Sequence, residues 1–397
     1  MPTIPHAGRR LRVLFIVNSL RFGGVEKHVV TLLNQIDITQ FDLSLVYLKD
    51  ERHLLAQLDQ SRLQREAVFL DVKKSMDWAA VRRLAALIQE LEIDVLLCSN
   101  NYPLWYGTLV RLLVPRKLLL VEVLHTTEIS VFNLKIQFAL TVPFYWAAHR
   151  LVYVCENQRQ YWRKRGLSRW RDQVIHNGID IEFFSPAHYG SQQIAQQRQE
   201  CGAGPQDFVI GICAVFRPEK AHGDLLQAVA ALRAQGKRVR AWLIGDGVER
   251  ARLEAKIVEL GLQEAVTITG FKDDVRPLIA ACDAIAIVST AVETFSIAAL
   301  ESMALGKALI MSNIGGASEQ IEPGVNGYLF PAGDVPALTR AILQLMENGQ
   351  CTLMGQRARE KVCRDFSLQG MLKQYQTMLQ DVAGGVQSKA QSNGEAK

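Results

Sequence analysis

Short, largely apolar runs alternate with longer stretches of helical spacing, and this happens twice along the 397-residue chain. In the first half the runs are Val13–Val17, Leu43–Tyr47, Val68–Leu70, Val95–Cys98, Leu118–Val123 and Leu151–Val154. Helical stretches such as Glu26–Ile36 and Trp78–Leu91 lie between them. Strands this short, with almost no polar face, must be covered on both sides, which predicts a parallel sheet with helices on each face. The pattern restarts near Phe208 with Val209–Ala214, Val239–Ile244, Val266–Thr269, Ala284–Val288 and Ala308–Met311, around helices such as His222–Ala234 and Val248–Leu260. The stretch 180–205 has no strand-like run and carries Pro186, Gly190, a Gln-rich segment and Pro205, so it reads as the connection between two doubly wound α/β domains. Late helices are expected at Thr339–Asn348 and Gln369–Leu379, and a disordered tail at 384–397.

Composition narrows the class. Hydrophobic residues make up 49% and charged residues 21%, which excludes a disordered or fibrous chain. Seven scattered cysteines without a C-x-x-C pair suggest reduced thiols and a cytoplasmic location. The apolar run Leu11–Val17 is too short for a signal peptide. The apolar stretch 136–148 is interrupted by Gln137, Thr141 and Pro143, and falls short of the roughly 20 residues a membrane span needs. Residues 1–172 hold 24 Lys and Arg against 16 Asp and Glu, while the remainder holds 21 against 24. The front half is therefore the one suited to an anionic partner.

Ligands of open α/β sheets sit beyond the carboxyl ends of the strands, so the loops there are the candidates. After the first run comes Asn18–Glu26 with the Gly23-Gly24 pair. Paired glycines let backbone approach a ligand, and the helix that follows offers N–H groups to an anion; the alternative is a turn kept for packing. His125 follows Leu118–Val123, where an imidazole suits contact with a substrate or serves structure. Arg217 and Lys220 follow Val209–Ala214, and two cations on such a loop suit a diphosphate. Gly245-Asp246-Gly247 lacks the full dinucleotide fingerprint, since position 250 is Arg250. The segment from Ser289 to Glu301 combines Glu293 ahead of a helix, the amides of Thr294, Phe295 and Ser296, and Glu301 among apolar residues. Carboxylates beside donor amides suit a ligand with both hydroxyls and phosphates, and a Glu on an otherwise apolar face is expensive without a partner. The plain alternatives are a helix-capping Glu293 and a salt-bridged Glu301.

In this order the motifs resemble the GT-B glycosyltransferases of family 4, group 1, which are retaining enzymes. The most specific match is Glu293-x7-Glu301, followed by Met303-Ala304-x-Gly306 and Gly315-Gly316-x-x-Glu319. Supporting matches are Gly23-Gly24-x-Glu26, His125, Val174–Asp180, Pro218-Glu219-Lys220 and Gly324-x-Asn326-Gly327. The resemblance implies two Rossmann-like domains facing a central cleft: 1–172, to which 366–383 returns, for the acceptor, and 173–365 for a nucleotide-sugar donor. It implies that Glu301 binds ribose hydroxyls and Glu293 the donor sugar. Thr294, Phe295, Ser296, Gly23 and Gly24 would touch phosphate and sugar, Lys220 the diphosphate, and His125 the sugar near the reacting carbon. One departure stands out. The family usually has an arginine where this chain has Val215, and Arg217 is the candidate replacement.

The expected reaction is transfer, with retention, from a nucleotide-diphosphate-sugar to a glycan or glycolipid in bacterial polysaccharide or lipopolysaccharide synthesis. Lys220 and helix N-termini would stabilise the departing diphosphate. No DxD-like metal motif stands beside these loops, so no metal or other cofactor is expected. No carboxylate nucleophile is evident, and a same-face attack with the leaving phosphate as base is the preferred route. Arg111, Arg116, Lys117, Lys135 and the run Tyr161–Arg171 form a basic, aromatic face suited to an anionic membrane at its inner surface, or simply to water. A nucleotide-sugar epimerase and a noncatalytic nucleotide-binding protein are the rivals. Nucleic acid is not an expected partner, because no reading motif accompanies the basic residues.

Overall fold

The computed structural model describes residues 9–394 except 22, 75, 126–140, 168–171 and 348, with the backbone alone for 385–394. Lys135, Arg169, Trp170, Arg171 and residues 136–140 of the apolar stretch 136–148 lie outside the described residues.

The chain divides into two compact units, Met1–His176 with Met371–Lys397, and Asn177–Gly370. Unit 1 holds a seven-stranded sheet: β1 (Leu11–Val17), β2 (Phe41–Tyr47), β3 (Val68–Phe69), β4 (Val95–Ser99), β5 (Leu119–Leu124), β6 (Arg150–Tyr153) and β7 (Asp172–Val174), in the order β3-β2-β1-β4-β5-β6-β7. Unit 2 holds six strands: β8 (Phe208–Cys213), β9 (Val239–Ile244), β10 (Val266–Gly270), β11 (Ala284–Ile287), β12 (Ala308–Ser312) and β13 (Gly327–Phe330), in the order β10-β9-β8-β11-β12-β13. The pairings between these strands are parallel, for example Val13 with Leu43 and Val95, and Ile285 with Gly211 and Leu309. The strand order reverses beside β1 in one sheet and beside β8 in the other, which fixes where a ligand crevice opens in each unit.

Local chemistry explains the elements. β4 and β5 are buried along their whole length, as an interior parallel strand requires. Helix Trp78–Glu90 begins where Asp77 Oδ1 accepts from the amides of Ala79 and Ala80, which satisfies two otherwise orphaned donors. Its buried stripe of Ala80, Val81, Leu84, Leu87 and Ile88 faces the sheet, and each large side chain contributes about 1.5–3 kcal/mol on burial. Unit 2 has its own core, in which helix His222–Ala234 packs Leu225, Leu226, Val229 and Leu232 with Ile210, Ala241 and Leu243.

Several expectations shift. The first unit ends at His176 rather than 172, because Asp172–Val174 pairs in register with Leu151–Tyr153 and completes the first sheet. The chain rejoins unit 1 at Met371 rather than 366. The Gln-rich connector contains helix Ser191–Glu200, since glutamine is a good helix former once Gly190 opens the turn. The last helix, Leu368–Gly394, runs into the expected tail, whose Ala, Gln and Lys residues tolerate helix and which contains no proline. All seven cysteines are free thiols.

Candidate functional site

In unit 2 the loops after β8 and β11 are tied together. The Thr290 N–H donates to the Glu219 carbonyl at 2.9 Å. Lys220 Nζ donates to Glu293 Oε2 at 2.6 Å, and Ser289 Oγ reaches the same oxygen at 3.0 Å. Lys220 keeps 25% and Glu293 16% of its side chain accessible, so the pair is partly dry yet reachable by a ligand. Val292, immediately before Glu293, has φ +56. A β-branched residue held there stores about 1–3 kcal/mol of strain, the kind found where the surrounding contacts over-determine a functional loop.

Those contacts are visible. Gly316 N–H donates to the Thr294 carbonyl at 2.7 Å, Asn177 Nδ2 to the Phe295 carbonyl at 3.2 Å, and Gln320 Nε2 to the Ser296 carbonyl at 2.9 Å. Three successive carbonyls are thus fixed from outside the loop. Gly315, at φ +55, lies so close that a Cβ would run into the Glu293 carbonyl, so Gly315-Gly316 is a clasp on the Glu293–Ser296 loop. Helix Ile297–Ala304 is capped by Ser296, whose Oγ accepts from the Ala299 amide at 3.3 Å. The cap is therefore Ser296, which leaves the Glu293 carboxylate to Lys220 and Ser289. Glu301 is buried on this helix at 5% exposure. Phe295 is packed edge-on against Phe366 at 5.2 Å.

Arg217 is exposed and lines a cavity of about 250 Å³ with His222, Asp224, Arg252, Lys256 and Thr290; Lys220, Glu293 and Glu301 are absent from that lining. Val215, where the family carries arginine, is 46% exposed. The glycines of Gly245-Asp246-Gly247 serve close packing, because a Cβ at either would strike backbone of the Ala214–Phe216 segment. Asn326 serves structure as well: its Nδ2 donates to the Gln320 carbonyl at 3.0 Å and its Oδ1 accepts from the Glu322 amide at 2.8 Å.

In unit 1, Gly23 is the N-cap of helix Gly24–Gln35. Glu26, buried in the first turn, lies against Gly23 and within 3.5 Å of Arg21. Burial pushes its pKa up, partly offset by its own backbone amide and by Arg21. This helix N-terminus therefore already has a carboxylate of its own. His125 follows β5, and its ring meets the His28 ring edge-on at 5.2 Å. Burial, and then the neighbouring His28, hold the His125 pKa well below the usual imidazole range. His28 Nε2 lies 3.1 Å from the Tyr375 hydroxyl, and burial lowers the His28 pKa to about 4.

His28, Tyr375 and Glu122 were not legible as site residues. Glu122 is fully buried in β5, and among the described residues neither of its oxygens has a side-chain hydrogen-bond partner. Burial raises its pKa well above the carboxylate range, offset in part by the backbone amide of Asn100. A carboxyl inside an otherwise apolar strand was the available signal.

The basic, aromatic face is partly used internally. Trp162 is core, Arg163 grips Asp172 at 2.8 and 3.0 Å, and Arg116 donates to Asp94 at 2.9 Å. Leu112, Leu113 and Trp146 are exposed near it, Arg111 donating to the Ala147 carbonyl at 2.8 Å. Among the described residues no helix is long and apolar enough to cross a membrane, and no group of three or more His, Cys, Asp or Glu side chains is arranged to hold a metal ion.

Comparison with known proteins agrees with this arrangement. The model of glycosyl transferases group 1 matches residues 193–361, and that of glycosyltransferase family 4 matches 22–183. N-acetyl-alpha-D-glucosaminyl L-malate synthase of Bacillus anthracis is 26% identical over 314 residues, 77% of this chain and 79% of that protein. The lipopolysaccharide core biosynthesis glycosyltransferase LpsE of Rhizobium meliloti (strain 1021) is 32% identical over 165 residues, 41% of this chain and 47% of that protein. The crystal structure of Anabaena Alr3699/HepE in complex with UDP and glucose superposes with a TM-score of 0.80 at 25% identity, covering 94% of this chain and all of that one. With both units matched in order and both sheets of the expected topology, the chain belongs to the family 4, group 1 glycosyltransferases and has the GT-B fold.

Proposed function

We propose that this glycosyltransferase moves a sugar from a UDP-sugar to a glycan or glycolipid acceptor, with retention, in cell-surface polysaccharide assembly. The observation that carries the proposal is the clasped loop on which Lys220 and Glu293 meet at 2.6 Å, one turn ahead of a capped helix that bears buried Glu301. The choice of UDP is supported by the likeness to the UDP-bound HepE structure, and the pathway by the likeness to LpsE.

The physical task is to part a glycosyl–phosphate bond while negative charge grows on the diphosphate. Lys220 and the amides of Thr294, Phe295 and Ser296 receive that charge, so protein cations and dipoles do this work. Glu293 accepts hydrogen bonds from the sugar and Glu301 from the ribose. His125 and the Gly23-Gly24 turn contact the sugar from unit 1. The acceptor hydroxyl attacks the anomeric carbon on the face the diphosphate leaves, the carbon–oxygen bond to phosphate breaks, and the acceptor proton passes to the departing phosphate oxygen. The exposed Leu112, Leu113 and Trp146, with Arg111 and Lys117, rest on an anionic membrane surface at its cytoplasmic side.

Thermal-shift measurements against UDP-, GDP- and ADP-sugars test the donor. A ligand at a hundred times its Kd adds about 2.7 kcal/mol by mass action. The expected outcome is a rise in Tm with at least one UDP-sugar. A panel that leaves Tm unchanged throughout overturns the proposal.

A further inference from the structure

Three rings form a row inside unit 1: Tyr375, His28 and His125. The His28 and Tyr375 centroids are 5.4 Å apart, and those of His28 and His125 5.2 Å apart at 68°. The Tyr375 hydroxyl and His28 Nε2 are hydrogen-bonded at 3.1 Å, although 347 residues separate them. His28 is 5% exposed and Tyr375 fully buried. The helix that carries Tyr375 is also held by Gln376 Oε1, which accepts from the Asp37 amide at 3.4 Å, and by Gln380, which donates to Gln40 at 2.7 Å.

An apolar pair would fill this space without the desolvation cost of an imidazole and a phenol. What the polar pair adds is direction. A hydrogen bond to one ring nitrogen fixes the tautomer and plane of His28, and an edge-on ring contact passes that plane to His125. We infer that His28 and Tyr375 are positioning residues for His125, so that the C-terminal helix sets the orientation of the imidazole offered to the donor sugar. The inference rests on the role proposed for His125.

Tyr375→Phe keeps the ring and removes the hydroxyl, and is the decisive variant. The first readout is the ring ¹⁵N spectrum of histidine-labelled protein, which needs no substrate. The His28 and His125 signals should both move in Tyr375→Phe. The second readout is donor turnover to water with a UDP-sugar. Turnover should fall roughly tenfold, as expected when a reacting contact is slightly misplaced, with KM for the donor within about twofold. His28→Gln, which can still bond the tyrosine, should retain more turnover than His28→Ala. Unmoved His125 signals, or a Tyr375→Phe turnover equal to that of the unaltered protein, overturn the inference. If the unaltered protein turns over no donor, the transferase proposal fails separately, and the spectra alone decide whether the row orients His125.

Discussion

In unit 2 the Glu293 loop is held mainly by neighbouring motifs, although Lys220 meets Glu293 from 73 residues away and Asn177 grips the Phe295 carbonyl from 118 residues away. Glu293 is four residues from Ser289, and its clasp, Gly315-Gly316, is the next glycine pair along the chain. In unit 1 the corresponding side chain, His125, is backed by His28 on the first helix and Tyr375 on the last. One unit builds its site from recognisable loop motifs and fixed backbone, the other from buried rings that no local motif announces. The first arrangement suits fixed contacts to a charged, common part of a substrate. The second lets the lining change without disturbing a motif.

The largest effect should come from the unit 2 loops. Lys220→Ala should lower donor turnover by about 10²–10³-fold, the usual loss when one stabiliser of developing charge is removed. Steady-state kinetics with the preferred UDP-sugar checks this, and a loss under threefold would show that the clasped pair is not the electrostatic centre. Next, Gly315→Ala should destabilise by roughly 1–3 kcal/mol or more, because the new Cβ meets backbone at a positive φ. Denaturant melts measure it, and a neutral result would mean the clasp yields.

Two experiments sharpen the view of unit 1. Glu122→Leu should stabilise the protein by about 1–3 kcal/mol at neutral pH, since it removes a buried carboxyl whose oxygens have no side-chain partner among the described residues. The pH dependence should agree: a carboxyl whose folded pKa is raised supports the fold at low pH and loses that support as pH rises above its ordinary value. The histidines act in the opposite sense. His28 and His222 fall to about 4 and His125 goes well below its ordinary value, chiefly through desolvation, so each is held neutral. Stability should therefore fall as pH drops from about 6.5 toward 4, by up to about 1.4 kcal/mol per pH unit for each group. His28→Gln should reduce that slope in Tm-against-pH curves. The smallest effect is expected for Arg217→Ala. Arg217 is exposed and lines a cavity that Lys220 and Glu293 do not share, so donor KM should change less than about threefold, within the range of a weak exposed charge.

Much of unit 2 could be read from sequence because its signals are local. Strand Val239–Ile244 and helix His222–Ala234 were placed to the residue, since apolar periodicity and flanking turns mark them without outside help. Strand Asp172–Val174 was invisible, because a three-residue edge strand with two polar side chains carries no period. Strand Gly327–Phe330 was missed because its first residue is a glycine, required where a Cβ would strike the Leu309 backbone. The Gly315-Gly316 pair could be seen as a turn, but its partner, the Glu293 carbonyl, could not. Tyr375 could not be linked to His125 at all, since nothing in a helical Tyr375-Gln376 pair announces a contact hundreds of residues away. The basic face shows the reverse: Trp162 reads as surface yet is core, Arg116 is drawn inward by Asp94, and Arg163 stays exposed but is committed to Asp172.

Isothermal titration of UDP into the unaltered protein, Lys220→Ala and Arg217→Ala tests the clasped loop as the seat of the diphosphate most directly. UDP should bind the unaltered protein and Arg217→Ala alike, and Lys220→Ala at least about tenfold more weakly, the loss of one charge-assisted contact. Equal affinity in all three, or no heat of binding in any, would contradict the account.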